Sequence, residues 1–200
     1  METTNTSNRI LTILLKEPYI TNTVSKLAEA LKITRQGLWK ILKKLHQNKL
    51  ILLESIGNKK TSTIILKLNW NNSLLEKTLS LSLARDALSY ERWIVNFKEL
   101  EGKVDFLILF GSILTNPKEA NDIDIIAVIN KKENFKEVEN IIINVQKTLI
   151  KKIHIIDMTK TEFSQELKKS NPAYLDALKK GVILYGQDKF IEFVKGLKIG

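Results

Sequence analysis

Between residues 110 and 129 the chain reads F-G-S-I-L-T-N-P-K-E-A-N-D-I-D-I-I-A-V-I. Two carboxylates, Asp122 and Asp124, stand at alternate positions at the head of an apolar run. Residues two apart on a strand face the same side, and charges set in a buried strand must be neutralised. A hard divalent cation would do this, because carboxylate oxygens are what Mg²⁺ takes, with phosphates completing its shell. Upstream, Gly111-Ser112 closes a first apolar run over residues 104–110. Glycine offers backbone with no side chain in the way and serine a hydroxyl, which is what a phosphate tail needs. Ile123 and residues 125–129 are apolar on both parities, the pattern of a strand buried on both faces. That pattern argues against an Asp122 that merely caps a loop and an Asp124 on an exposed edge.

Gly111-Ser112, nine intervening residues and then Asp122-Ile123-Asp124 flanked by apolar residues resembles the signature of the DNA polymerase beta-like nucleotidyltransferase superfamily, especially its minimal members. The resemblance covers about the last hundred residues. It implies that an acceptor hydroxyl attacks the α-phosphate of a nucleoside triphosphate while Mg²⁺ stabilises the attacking and leaving oxygens and pyrophosphate departs. By the same resemblance Asp122 and Asp124 hold metal, and Gly111 and Ser112 position the β- and γ-phosphates. Active members usually carry a third carboxylate on the strand after the following helix. In I-H-I-I-D-M the matching position holds His154, a poorer Mg²⁺ ligand that could instead accept the acceptor's proton or simply pack on a sheet face. Asp157 lies three residues on, on the opposite face by strand parity unless a bulge turns it inward. Where many minimal members place arginines in the loop after the serine, this chain offers only Lys118 to a phosphate.

Hydrophobic periodicity and turn residues place these groups on elements. From residue 103 the order is strand 104–110, loop, strand 123–129, helix about 134–149, strand 153–157, and helix about 161–169. Asn171-Pro172 then caps a helix to Lys180, followed by a strand over 182–185 and a terminal helix. This is an α/β pattern, with the site expected at one edge of a small mixed sheet.

The first third differs. Residues 8–16, 23–31 and 34–47 read as three helices, the third with Thr34 as N-cap, and 50–56 with 61–68 as a hairpin around Gly57-Asn58-Lys59-Lys60. In the third helix Leu38, Ile41, Leu42 and Leu45 form a buried stripe, while Gln36, Lys40 and Lys43 fall opposite with Trp39 and Lys44 at the margins. The stretch L-A-E-A-L-K-I-T-R-Q-G-L-W-K-I-L-K-K-L-H-Q-N-K-L-I resembles winged helix-turn-helix transcription regulators. This implies a major-groove helix led by Arg35 and Gln36, with Lys59 and Lys60 at the wing tip on double-stranded DNA; some relatives are protein docking modules instead. Lys49 stands where many members have glycine, and Asn48 is expected to take the left-handed conformation in its place. Trp39 either stacks on a base or packs at the stripe's edge, and His46 is expected to meet the last helix carbonyls.

Between the two, Ser73 with Glu76 reads as a capping-box start of a helix reaching about residue 101, with a break near Ser80 and Ser82. Its stripe of Leu83, Ala87, Tyr90, Ile94 and Phe97 makes it a connector and a candidate homodimer contact. The domains are therefore expected at 1–70, 71–101 and 102–200, in an α+β, α/β two-domain chain.

Composition bounds the rest. At 44% hydrophobic content in 200 residues, two small cores are affordable. There is no cysteine and only His46 and His154, so disulfides are excluded and a zinc cluster disfavoured. Residues 1–70 carry 12 Lys/Arg against 4 Asp/Glu, and the other 130 carry 20 against 18. The excess of +8 in the first third suits a phosphate backbone as its partner. The N-terminus lacks a basic and apolar leader, and no apolar run approaches a membrane span, so a cytoplasmic protein is expected. Three functions follow from these residues: a DNA-binding nucleotidyltransferase; an inactive regulator whose transferase-like domain senses nucleotide or mediates assembly; or an antitoxin-like protein acting on a toxin partner.

Overall fold

The computed structural model describes residues 2–57, 63–131 and 133–197. The chain divides into two compact units, with the boundary between Ser82 and Leu83.

In the first unit, α1 (Glu2–Lys16), α2 (Val24–Leu31) and α3 (Arg35–Gln47) precede β1 (Ile51–Ile56) and β2 (Thr63–Leu68). Side-chain caps set two helix starts: Thr23 accepts from the Lys26 N–H and Thr34 from the Gly37 N–H, each meeting one of the orphan donors of a first turn. The helices bury Leu11, Leu15, Leu27, Leu38 and Leu42, whereas Ile41 is only half-buried. The strands pair antiparallel from Ile51↔Leu68 to Ile56↔Thr63. Lys59 and Lys60, expected at the wing tip, lie outside the described residues.

The turn into β1 departs from expectation. Lys49 itself takes φ +55, while Asn48 stays at φ −78. Side-chain amides stabilise the turn: Asn69 donates to the Lys49 carbonyl at 2.8 Å, and Asn72 to the carbonyls of Asn48 and Lys49 at 3.1 and 3.0 Å. His46 places its Nδ1 3.2 Å from the Ile51 carbonyl on β1, not against the end of its own helix.

The connector is also built differently. Helix α4 (Ser73–Leu88) is capped by Asn72, whose side chain accepts the Leu74 N–H at 3.0 Å; Ser73 is already helical. The helix runs unbroken through Ser80 and Ser82 because Ser82 is buried with its hydroxyl 3.2 Å from that of Thr12, which satisfies the polar group. The break comes at Ser89-Tyr90, followed by α5 (Glu91–Asn96) and a 3₁₀ turn over Lys98–Leu100.

The second unit holds β3 (Val104–Phe110), β4 (Asp122–Ile129), α6 (Asn134–Gln146), β5 (Lys152–Met158), α7 (Lys160–Lys168), α8 (Pro172–Lys180), β6 (Val182–Tyr185) and α9 (Gln187–Gly196). Its sheet has the order β5-β4-β3-β6; β3 is antiparallel to both neighbours, and β4 is parallel to β5. One face of β4 contributes Ile123, Ile125, Ala127 and Ile129 to a core with Trp93, Phe97, Val138 and Ile153. The other parity buries Ile126 and Val128; on that parity of β3, Phe106 packs with Phe163, Phe190 and Phe193 at ring separations of 5.4–6.1 Å. This is a mixed α+β fold. No helix among the described residues is long and apolar enough to cross a membrane.

Candidate functional site

The parity that carries Ile126 and Val128 begins with Asp122 and Asp124. The same face of β4 therefore opens on carboxylates and finishes in the core. The pair lies at the N-terminal end of an inner strand, not on a sheet edge; its neighbour β5 is one of the two terminal strands, and there His154 is register partner of Asp124. The His154 Nδ1 stands 3.6 Å from Asp124 Oδ1 and 3.9 Å from Asp122 Oδ2. Asp124 is the most enclosed of the three, with 28% of its side chain exposed, against 41% for Asp122 and 45% for His154. Asp157 pairs in register with Ala127, which puts it on the opposite parity, and it is exposed.

Gly111 completes one wall. It sits at φ +81, and a Cβ built there would lie 2.2 Å from Asp124 Oδ2, so both the backbone conformation and the space exclude a side chain. Phe110, just before it, is register partner of Asp124. The chain then winds into a 3₁₀ turn over Ser112–Leu114, closed by bonds from the Thr115 and Asn116 N–H groups to the Ser112 carbonyl at 3.1 and 2.8 Å. Ser112 and Lys118 are both exposed. Sequence reasoning missed Lys151, whose ammonium donates to the Ala120 carbonyl and, at 3.5 Å, to that of Lys118. Its partners are backbone carbonyls, which leave no mark in a sequence.

The donor set suits Mg²⁺ in one respect: two hard carboxylates share a face, as in sites where substrate phosphates supply the remaining ligands. Among the described residues, no group of three or more His, Cys, Asp or Glu side chains is arranged to hold a metal ion by itself. Asp122 and Asp124 are the residues that would hold such an ion.

On the first unit, Arg35, Gln36, Lys40, Lys43 and Lys44 are all exposed on α3, and Trp39 is half-buried. The buried side of that helix is Leu38, Leu42 and Leu45, so the cations project away from the core.

Residues 93–190 match the family model described as Polymerase beta, Nucleotidyltransferase. The match runs from within α5 into α9, takes in every candidate residue of the carboxylate site, and supports a nucleotidyltransferase-like domain. Among solved structures the chain is similar to a mutant of Lactococcus lactis ZitR, at 24% identity and a TM-score of 0.34, covering 46% of this chain and 61% of that one. The same mutant in apo form gives 26% and 0.32, covering 50% and 67%. The chain thus spans less than two thirds of the first of these structures, and both scores are too low to define a shared fold. No curated protein matches the chain significantly.

Proposed function

We propose that the second unit is a Mg²⁺-dependent nucleotidyltransferase that moves a nucleoside monophosphate from a nucleoside triphosphate to an acceptor hydroxyl, and that the first unit is a winged helix-turn-helix that binds double-stranded DNA. The observation that carries the enzyme reading is the meeting of Asp122, Asp124 and His154 on one face beside Gly111. Asp122 and Asp124 hold the metal, which when bound offsets charge on the phosphate oxygens. Gly111 and Ser112 take the β- and γ-phosphates, and Lys118, on the loop that follows, is a further cation for a phosphate. The acceptor oxygen bonds to the α-phosphorus, the α–β bridging bond breaks, pyrophosphate leaves, and the acceptor's proton passes to the His154 ring.

The test is transfer of label from α-labelled nucleoside triphosphates with Mg²⁺. The wild type is expected to label its acceptor, and Asp122→Ala with Asp124→Ala to abolish both labelling and metal-dependent nucleotide binding. His154→Ala is expected to lower transfer by about a hundredfold or more, the range for loss of a positioned base, while leaving nucleotide binding in place. Absence of transfer from the wild type to any acceptor would sink the enzyme reading.

A second reading, a regulator whose transferase-like unit binds nucleotide without turning it over, is favoured by one specific observation: the third position holds an imidazole, and among the described residues no third carboxylate joins the pair in a group that could hold a metal ion. It predicts Mg²⁺-dependent nucleotide binding with no pyrophosphate released.

A further inference from the structure

We propose that Lys151 is a positioning residue whose ammonium pins the loop over residues 115–121 to the start of β5, and so fixes where Asp122 and Lys118 enter the site. Three sets of contacts carry this. First, Lys151 Nζ donates to the carbonyls of Ala120 and Lys118, two of the four residues that precede Asp122. Second, Lys151 is itself held: Gln146 donates to the carbonyls of Leu149 and Lys151 at 3.3 and 3.1 Å and accepts the Ile153 N–H at 2.8 Å, so one amide shapes the whole turn from α6 into β5. Third, the loop is already folded on itself. The Ala120 N–H donates to the Asn116 carbonyl at 2.9 Å, and the Asn116 amide donates to Glu119 at 2.5 Å. A unit of this kind moves as a body, and one anchor suffices to place it.

The geometry gives the anchor its effect. Asp122 is register partner of Lys152, and Ala120 lies two residues before it. The first carboxylate of the site is therefore bracketed by two ties, one through the ladder to β5 and one through the ammonium of the residue just before that strand. A long lysine side chain loses rotamer freedom when it is held this way, which the charge-assisted bond to the Ala120 carbonyl offsets. Without the ammonium, the carbonyl of the buried Ala120 must find water, and the loop lifts.

The effect on nucleotide rests on the transferase reading; the anchoring itself does not. Lys151→Met keeps the apolar stem and removes the donors, and Lys151→Arg restores a cation with donors. Amide exchange of Asn116 and Ala120 in the ligand-free chain is expected to quicken by about tenfold or more in Lys151→Met, as loss of charge-assisted bonds implies. Amides of β3 should be unchanged, and Lys151→Arg should return to the wild-type rate. Affinity for Mg²⁺ with a non-hydrolysable nucleoside triphosphate should fall in parallel and recover with arginine. Unchanged loop exchange in Lys151→Met overturns the proposal, as does quickened exchange with undiminished affinity. If the wild type binds no nucleotide, the transferase reading fails, and the exchange result still decides whether Lys151 anchors the loop.

Discussion

Gly111 and Asp124 are matched by shape. The glycine occupies a left-handed conformation with a carboxylate oxygen where a methyl would go. Gly111→Ala combines backbone strain with a steric clash and is expected to cost about 1–3 kcal/mol, measured by urea unfolding. In the double variant with Asp124→Ala the clash is relieved and only the strain remains, so the two changes should add to less than their sum; strict additivity would show that the two residues do not touch. This pairing could be anticipated in part. The Gly-Ser turn and the alternate aspartates were legible because strand parity alone places Asp122 and Asp124 together, and parity also sets Asp157 opposite. Lys49 was not legible: its left-handed turn is stabilised by side chains twenty and more residues downstream, so local propensity pointed to Asn48.

At the scale of elements, strands were read more securely than helix ends. The run over residues 125–129 of β4 is apolar on both parities and that of β3 is apolar but for Asp105, a pattern of buried strands, whereas the single long connector proved to be α4, α5 and a turn, since a helical stripe continues across a break that reorients the chain. Tertiary contacts hold the pieces, among them the Tyr185 hydroxyl, which donates from β6 to the Ile94 carbonyl on α5. Burial raises the Tyr185 phenol above its ordinary value, and the Glu101 carboxylate adds to the rise. The unfolded chain therefore loses this proton first as pH increases. The contribution to stability is fully present below about pH 10, the ordinary tyrosine value, and is lost as pH climbs from there through the raised value. Comparing urea midpoints at about pH 9 and about pH 11, Tyr185→Phe should show a smaller alkaline loss than the wild type; an equal loss would remove Tyr185 as its cause.

Over the whole molecule, charge and chemistry separate along the chain. The excess of +8 lies in residues 1–70 and the carboxylate site in residues 83–197. If the exposed face of α3 meets phosphates, wild-type affinity for duplex DNA should fall steeply with salt as counterions are displaced, and Lys40→Glu with Lys43→Glu should abolish binding in a titration at low ionic strength. A curve indifferent to both would leave those lysines as a solvated surface. One further consequence follows from β5 standing at the end of the sheet order. A terminal strand is a general hazard for edge-to-edge pairing, which natural proteins discourage with charged or polar side chains. Lys152, His154 and Asp157 are the exposed residues of that strand, so the histidine beside the aspartate pair is also one of the charged or polar side chains of a terminal strand.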